Sequence, residues 1–254
     1  MSWLGFYATE VYYPISMITD SLRDYLRRIG GKKDKRRQKT SLPRIHWKSA
    51  VKRKPIVLCE LQKADGNVRI SELGIICQFA RSLKGAKPLQ EEGLIFEIGT
   101  FDGRTTLNFA LNAGNHKIVT LDLPSKSQTE LRVEPSEKKY IKKHISGERF
   151  IKNAARFPES VQKIRQLYGD SAAFDYSEFE GKCDMVFVDG SHSYEYLRKD
   201  SETAFRLRSK EGIIIWHDYG VWEGVTRGLE EIERETKIGL KHIAGTSLVI
   251  LKQF

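Results

Sequence analysis

The sequence predicts an α/β domain built on a mainly parallel β-sheet with helices on both faces. Three observations lead there. From about residue 68, short apolar runs bounded by turn residues alternate with segments of helical periodicity. Strands separated by helices are joined by crossovers, and crossovers make parallel pairs. The chain has 254 residues, 40% hydrophobic and 30% charged, enough for one large domain with its own core plus an extension.

The expected elements run as follows. "ISELGIICQFARSLKG" has apolar residues at helical spacing and stops at Gly85 after Lys84. "GLIFEIG" is a buried strand between glycines, and "RTTLNFALNAG" is the helix after it. "HKIVTLDL" is a second strand. Residues 124–160 are polar with weak periodicity and read as an insertion with some helix. "VQKIRQLYGD" is a third strand, "CDMVFVDG" a fourth and "SYEYLRKDSETAFRLRSK" a helix. "GIIIWHD" is a fifth strand, "WEGVTRGLEEIERET" a helix, and "HIAGTSLVILK" ends in a last strand. There is no internal repeat.

Residues 1–65 are expected to be a basic extension, helical or partly disordered, ahead of a domain at 66–254. The first 60 residues hold 14 Lys and Arg against five Asp and Glu, so nearly all of the +10 net charge lies there. The run "GKKDKRRQK" is either a solvated linker or a contact for phosphate. Through residues 1–40 the chain could meet an anionic surface, nucleic acid or membrane. The aromatic-rich start "MSWLGFYATEVYYPISMI" is not a signal peptide, because its positive charge follows the apolar part. Glu10 and Pro14 interrupt it as a membrane span. It reads as an interfacial segment, or as a helix packed on the domain or on a second subunit of a homo-oligomer. Cys59, Cys77 and Cys183 are far apart and odd in number, so they are neither a disulfide framework nor a C-x-x-C metal site. Cys77 and Cys183 read as small core residues. A reducing compartment fits, hence a cytoplasmic protein, with peripheral membrane contact as an option for the arm.

In such a sheet, ligands bind beyond the carboxyl ends of the strands. Those ends carry Glu97 and Gly99, then Asp122, Asp170, Asp189 with His192, and His217 with Asp218. Each alone could be a cap or turn residue. Together they define a polar site. In "FEIGTFDGRTT", Gly99 and Gly103 allow a sharp turn and close approach to a ligand. The segment lacks the Gly-Lys-Ser/Thr ending of a P-loop and the G-x-G-x-x-G of a dinucleotide site. Glu97 would repel a pyrophosphate but suit a ligand with a positive amino group.

"E-I-G-T-F-D-G-R-T-T" resembles the first motif of class I S-adenosylmethionine-dependent methyltransferases, acid-x-Gly-x-x-x-Gly. The resemblance spans about residues 70–254. It implies a Rossmann-like, seven-stranded, mostly parallel sheet with its last strand antiparallel. It makes 66–254 the S-adenosylmethionine-binding catalytic domain. It also implies that Glu97, Gly99, Thr100 and Gly103 hold the methionine part of the cofactor. Asp122 would bind the ribose hydroxyls, and Asp170 and Ser171 of "G-D-S" would meet adenine.

"VDGSHSYE" and "WHDYG" are similar to the metal-dependent O-methyltransferases of bacterial sugar and natural-product biosynthesis, with D-G-x-H-x-Y after strand four and a pair ending in Asp after strand five. That likeness implies Asp189 and Asp218 as metal ligands, Asp189 thereby in the catalytic machinery, and His192 as general base. Many relatives have an acid where this chain has His217, which leaves the third ligand open. Two carboxylates and waters suit Mg²⁺; if His217 also binds, a transition metal gains ground. A cation would lower the pKa of an acceptor hydroxyl, and a neutral histidine would take its proton.

Blander readings stand beside these. Asp189 could be a turn acid, Ser191 or Ser193 a helix N-cap, and His217 a core histidine satisfied by backbone. Glu195 needs only the helix dipole. Tyr194 and Tyr219 could line the pocket, and Trp216 and Phe101 could meet the cofactor or fill the core. The expected activity is O-methylation of a sugar, glycan or small polyol. The alternatives are an RNA methyltransferase using the basic arm, or a non-catalytic docking protein. Against RNA, strands four and five lack the Asn/Asp-Pro-Pro-aromatic motif of the amino-methylating branches.

Overall fold

The computed structural model describes residues 38–62, 66–83, 93–133, 135, 137–141 and 146–252. The aromatic-rich start, most of the basic run and the helix stop at Lys84–Gly85 lie outside them. The described residues belong to one compact unit, 37–254.

The elements in chain order are β1 (Arg44–Ile45), α1 (Trp47–Ala50), α2 (Ile70–Ser82), β2 (Leu94–Ile98), α3 (Arg104–Asn112) and β3 (Lys117–Asp122). A 3₁₀ turn (Lys138–Tyr140), α4 (Glu148–Lys152) and α5 (Pro158–Val161) fill the insertion. Then come β4 (Ile164–Tyr168), a 3₁₀ turn (Ser177–Phe179), β5 (Cys183–Val188), α6 (Tyr194–Leu207), β6 (Arg208–Trp216), α7 (Glu223–Thr236), β7 (Lys241–Ile243) and β8 (Val249–Leu251).

The sheet order is β1-β7-β8-β6-β5-β2-β3-β4. All pairs are parallel except those of β8, which runs antiparallel to β6 and β7. The Rossmann-like plan holds, with eight strands instead of seven. The added strand is the two-residue β1, which pairs with β7 through Arg44↔His242 and Ile45↔Ile243. So short a strand, within a basic stretch, has no alternation to announce it. The single strand expected in "HIAGTSLVILK" is two, β7 and β8, with Gly245 at φ +81° in the turn between them.

Side-chain alternation gives each sheet face its own core. Ile95, Ile118, Met185, Phe187, Ile213 and Ile215 pack with Leu73, Ile76 and Phe79 of α2 and Phe109 of α3. Their strand neighbours Phe96, Ile98, Val119, Val186, Val188 and Ile214 pack on the other face with Leu197 and Leu207 of α6 and Leu229 of α7. Each such side chain contributes roughly 1.5–3 kcal/mol when fully buried. Cys77 and Cys183 are fully buried, as small core residues should be. No described helix is long and apolar enough to cross a membrane.

Residues 38–62 pack on the domain. Asn108 and Asn112, one turn apart on α3, accept from the Cys59 and Val57 amides at 2.8 and 2.9 Å. The same two side chains donate to the carbonyls of Cys59 and Val57 at 3.0 and 2.7 Å. Tyr219 is 1% exposed, and its hydroxyl accepts from the Ser41 and Leu42 amides and donates to Glu230. Tyr219 therefore anchors this segment and does not line a pocket.

The register aligns the strand ends that matter. Ile98 pairs with Leu121 and Val188, and Val188 with Trp216. Gly99, Asp189 and His217 therefore emerge side by side.

Candidate active site

The loop after β2 is built by close approach. Gly99 has φ +98°, and a Cβ there would sit 2.1 Å from the Asp189 carbonyl oxygen. Only glycine satisfies both demands. The loop then folds over the end of β3, where Asp122 Oδ1 accepts from the Thr100 and Phe101 amides at 3.2 and 3.3 Å. Ser146 donates to the other Asp122 oxygen. Gly103, at φ +81°, starts α3 and lies against Phe150 and Gly147, so a side chain would not fit. Phe101 has φ +52°, a conformation that costs a bulky residue energy and clusters at functional sites. Its ring meets Tyr140 edge-on.

Glu97 is fully buried beneath this loop. Its Oε2 accepts from Thr106 and, at 2.7 Å, from Thr120. Its Oε1 has no partner. Burial outweighs the two hydroxyl donors and pushes the carboxyl up to about 8. A buried, unsatisfied carboxylate oxygen is costly alone and is satisfied by a cationic amino group.

Asp170 and Ser171 follow β4, where the Gly169 amide bonds to the Asp122 carbonyl at 3.0 Å. Asp170 accepts from Tyr196 Oη at 2.9 Å and from the Ala172 and Glu130 amides. The Ser171 carbonyl accepts from Tyr176. All the residues expected around the cofactor thus lie on one edge, at the ends of β2, β3 and β4.

The ends of β5 and β6 hold the second cluster. Asp189, His217 and Asp218 offer ligand atoms that all lie within 4.8 Å of one another. His217 Nδ1 is 2.8 Å from Asp189 Oδ1 and 3.4 Å from Asp218 Oδ2, and its Nε2 is 3.4 Å from Glu72 Oε2. His217 is therefore not satisfied by backbone; carboxylates face both ring nitrogens. Asp218 has φ +67°, a left-handed conformation that Asp tolerates better than most residues. His192 is held between two carboxylates, with Nε2 2.9 Å from Asp218 and Nδ1 2.9 Å from Glu137. Its ring stacks on Trp222, centroids 4.5 Å apart and planes 2° from parallel, and Tyr140 meets its edge.

The electrostatics follow from these contacts. Burial lowers His192, but Asp218 and Glu137 lift it to about 9. Burial likewise opposes the charge on His217, and Asp218 and Asp189 raise it well above the ordinary value. Burial would push Asp218 up, but His217 and His192 hold it far below the usual carboxylate range. Burial keeps Asp189 above its ordinary value despite His217.

Sequence reasoning missed Glu72 and Glu137. Glu72 sits third in α2 and its carboxylate reaches back to the Arg69 amide, so it reads as a helix-capping acid. Glu137 is hidden in the aperiodic insertion; it also accepts from Ser191 Oγ and the His192 amide. The N-cap of α6 is Ser193, which accepts from the Tyr196 amide. Trp216 is core and donates to Ser201. Tyr194 Oη bonds to Glu231 of α7.

Comparison with known proteins bears on the fold and on residues 96–219. A family model described as "Methyltransferase domain" matches residues 96–219, which hold both clusters apart from Glu72. The fold resembles that of the SAH-bound methyltransferase PaMTH1 from Podospora anserina, at 14% identity and TM-score 0.53, covering 97% of this chain and 99% of that one. It also resembles the O-methyltransferase NovP, at 15% identity and TM-score 0.53, covering 73% of this chain and 80% of that one. At such identities the likeness is one of fold. No curated protein matches the chain. Residues 96–219 thus match a methyltransferase domain, set in a fold that the chain shares with methyltransferases.

Proposed function

We propose that the protein transfers a methyl group from S-adenosylmethionine to a hydroxyl of a sugar, glycan or small polyol, assisted by a divalent cation and by His192 as general base. One observation carries this reading: the Asp189 carbonyl occupies the space of a Gly99 side chain. The acid–imidazole cluster therefore abuts the loop after β2, so a donor held on that loop and an acceptor held at the cluster would be neighbours. The O-methyltransferase NovP, which shares the fold, lends the hydroxyl acceptor support.

Glu97 would satisfy its free Oε1 with the cofactor's amino group. Asp122 retains lone pairs for the ribose hydroxyls, and Asp170 with Ser171 would border adenine. Asp189, Asp218 and His217 fit a divalent cation, Mg²⁺ or a transition ion, which when bound would lower the acceptor hydroxyl's pKa and fix its orientation. Bound S-adenosylmethionine would supply the methyl as an electrophile whose sulfur keeps the C–S electron pair, and His192 Nε2 would take the proton of the acceptor hydroxyl. Asp218 and Glu137 keep a proton on His192 at neutral pH in the free protein, so His192 acts as a base once the charge of Asp218 is engaged elsewhere. Stacking on Trp222 sets the plane of the ring.

The test is transfer of labelled methyl from S-adenosylmethionine to a panel of monosaccharides, polyols and catechol, before and after chelation. Transfer that a chelator abolishes and Mg²⁺ or Mn²⁺ restores supports the reading. Transfer indifferent to chelation contradicts its metal half, and transfer to nitrogen acceptors only contradicts the hydroxyl.

A further inference from the structure

His217 is where this chain departs from an all-carboxylate cation site, and its surroundings say what the departure does. Its half-buried ring packs against Phe187. Nδ1 faces Asp189 and Asp218, while Nε2 faces Glu72. Glu72 is 1% exposed and fixed from elsewhere in the fold. Its Oε1 accepts from the Ser247 amide at 2.6 Å and from Ser247 Oγ at 3.0 Å, and its Oε2 from the Arg69 amide at 3.3 Å. The loop between β7 and β8 thus holds the glutamate in place behind the imidazole.

Charge balance points the same way. Glu72, Asp189, Asp218 and Glu137 directly contact only two imidazoles, His192 and His217. Among the described residues no Lys or Arg forms an ion pair with any of the four. Four carboxylates converging on two imidazoles make an acidic cluster to which a cation is suited.

We infer that His217 completes the cation site through Nδ1, that Glu72 positions it by holding the ring proton on Nε2, and that the resulting two-carboxylate, one-imidazole set takes a first-row transition ion such as Mn²⁺ in preference to Mg²⁺. The inference rests on the cation site proposed above. A ligating imidazole donates its other N–H to a carboxylate in most metal sites, which fixes the tautomer and raises ligand basicity. Imidazole suits transition ions, whereas Mg²⁺ keeps to oxygen ligands and water.

The test is pulsed electron paramagnetic resonance of the full-length protein loaded with Mn²⁺, with Mn²⁺ and Mg²⁺ affinities measured by calorimetry. The wild type should show ¹⁴N coupling to Mn²⁺, and His217→Asp should still bind Mn²⁺ without that coupling. Glu72→Gln should weaken Mn²⁺ binding about 10–100-fold while leaving S-adenosylhomocysteine affinity within about twofold, a split that a merely structural role would not give. In His217→Asp the preference for Mn²⁺ over Mg²⁺ should narrow. Mn²⁺ bound without ¹⁴N coupling, or coupling that survives His217→Asp, overturns this inference and leaves the cation site standing. Unchanged Mn²⁺ affinity in Glu72→Gln overturns the role of Glu72. Failure of the wild type to bind either ion overturns the cation site itself. If Glu72→Gln does not fold, the wild-type and His217→Asp spectra still decide the ligand.

Discussion

His192 Nε2 lies 2.9 Å from Asp218 Oδ2, so the imidazole read as the base touches an acid read as a cation ligand. On the proposed reading, proton removal and cation binding would be coupled through one carboxylate. Glu137 closes the arrangement from the other side, 2.9 Å from Nδ1.

Glu137→Gln keeps the size of the side chain but removes its charge and can donate to Nδ1. It should lower kcat up to about 10²-fold by misplacing or mis-protonating the ring. Cofactor affinity, measured by calorimetry, should stay unchanged. A variant with wild-type kcat would mean that Glu137 merely anchors the insertion.

Glu97 gives the fold a pH dependence. Its carboxyl rises from an ordinary 4.5 to about 8 in the folded protein. The folded state therefore holds a proton that the unfolded state has released across that window, and stability from this group is full below 4.5 and lost as pH rises through 8. Melting temperatures recorded from pH 5 to 9 should show this downward contribution, and Glu97→Gln should remove it. A Glu97→Gln profile parallel to that of the wild type would contradict the neutral form.

Gly99→Ala should destabilise by roughly 2–4 kcal/mol, combining left-handed strain with overpacking against the Asp189 carbonyl. Urea unfolding measures the loss. Because that contact joins the two clusters, cofactor binding should weaken as well. A variant as stable as the wild type would show that the ends of β2 and β5 are not in contact.

Asn108→Ala strips a donor and an acceptor from the buried Cys59 backbone, at a cost of roughly 2–4 kcal/mol. Asn108→Asp should restore the acceptor but not the donor and fall between. Limited proteolysis within residues 38–62 should accelerate in step with the loss. Equal cleavage rates would detach that segment's order from α3.

These sites differ in how legible they are. The ends of β2, β3, β5 and β6 can be read because each apolar run stops abruptly at an acid, glycine or histidine, and a parallel sheet brings such stops together. Residues 38–62 cannot be read that way. Side-chain amides of Asn108 and Asn112 hold the backbone of Val57 and Cys59, a tie that leaves no hydrophobic period in the segment itself. Glu72 is masked because one residue does two jobs, reaching the Arg69 amide and facing His217. Glu137 comes from an insertion whose path is set by what it covers. His217 could be suspected from sequence as a departure, but only the Asp189 and Glu72 carboxylates on its two nitrogens give it a role.

The most direct measurement is labelled-methyl transfer by wild type and His192→Ala on the same hydroxyl panel, with S-adenosylmethionine affinity measured alongside. The expected result is a fall in turnover of about 10²–10⁴-fold at nearly unchanged cofactor affinity. Turnover within a few-fold of wild type in His192→Ala would contradict His192 as the base and, with it, the account of the chemistry.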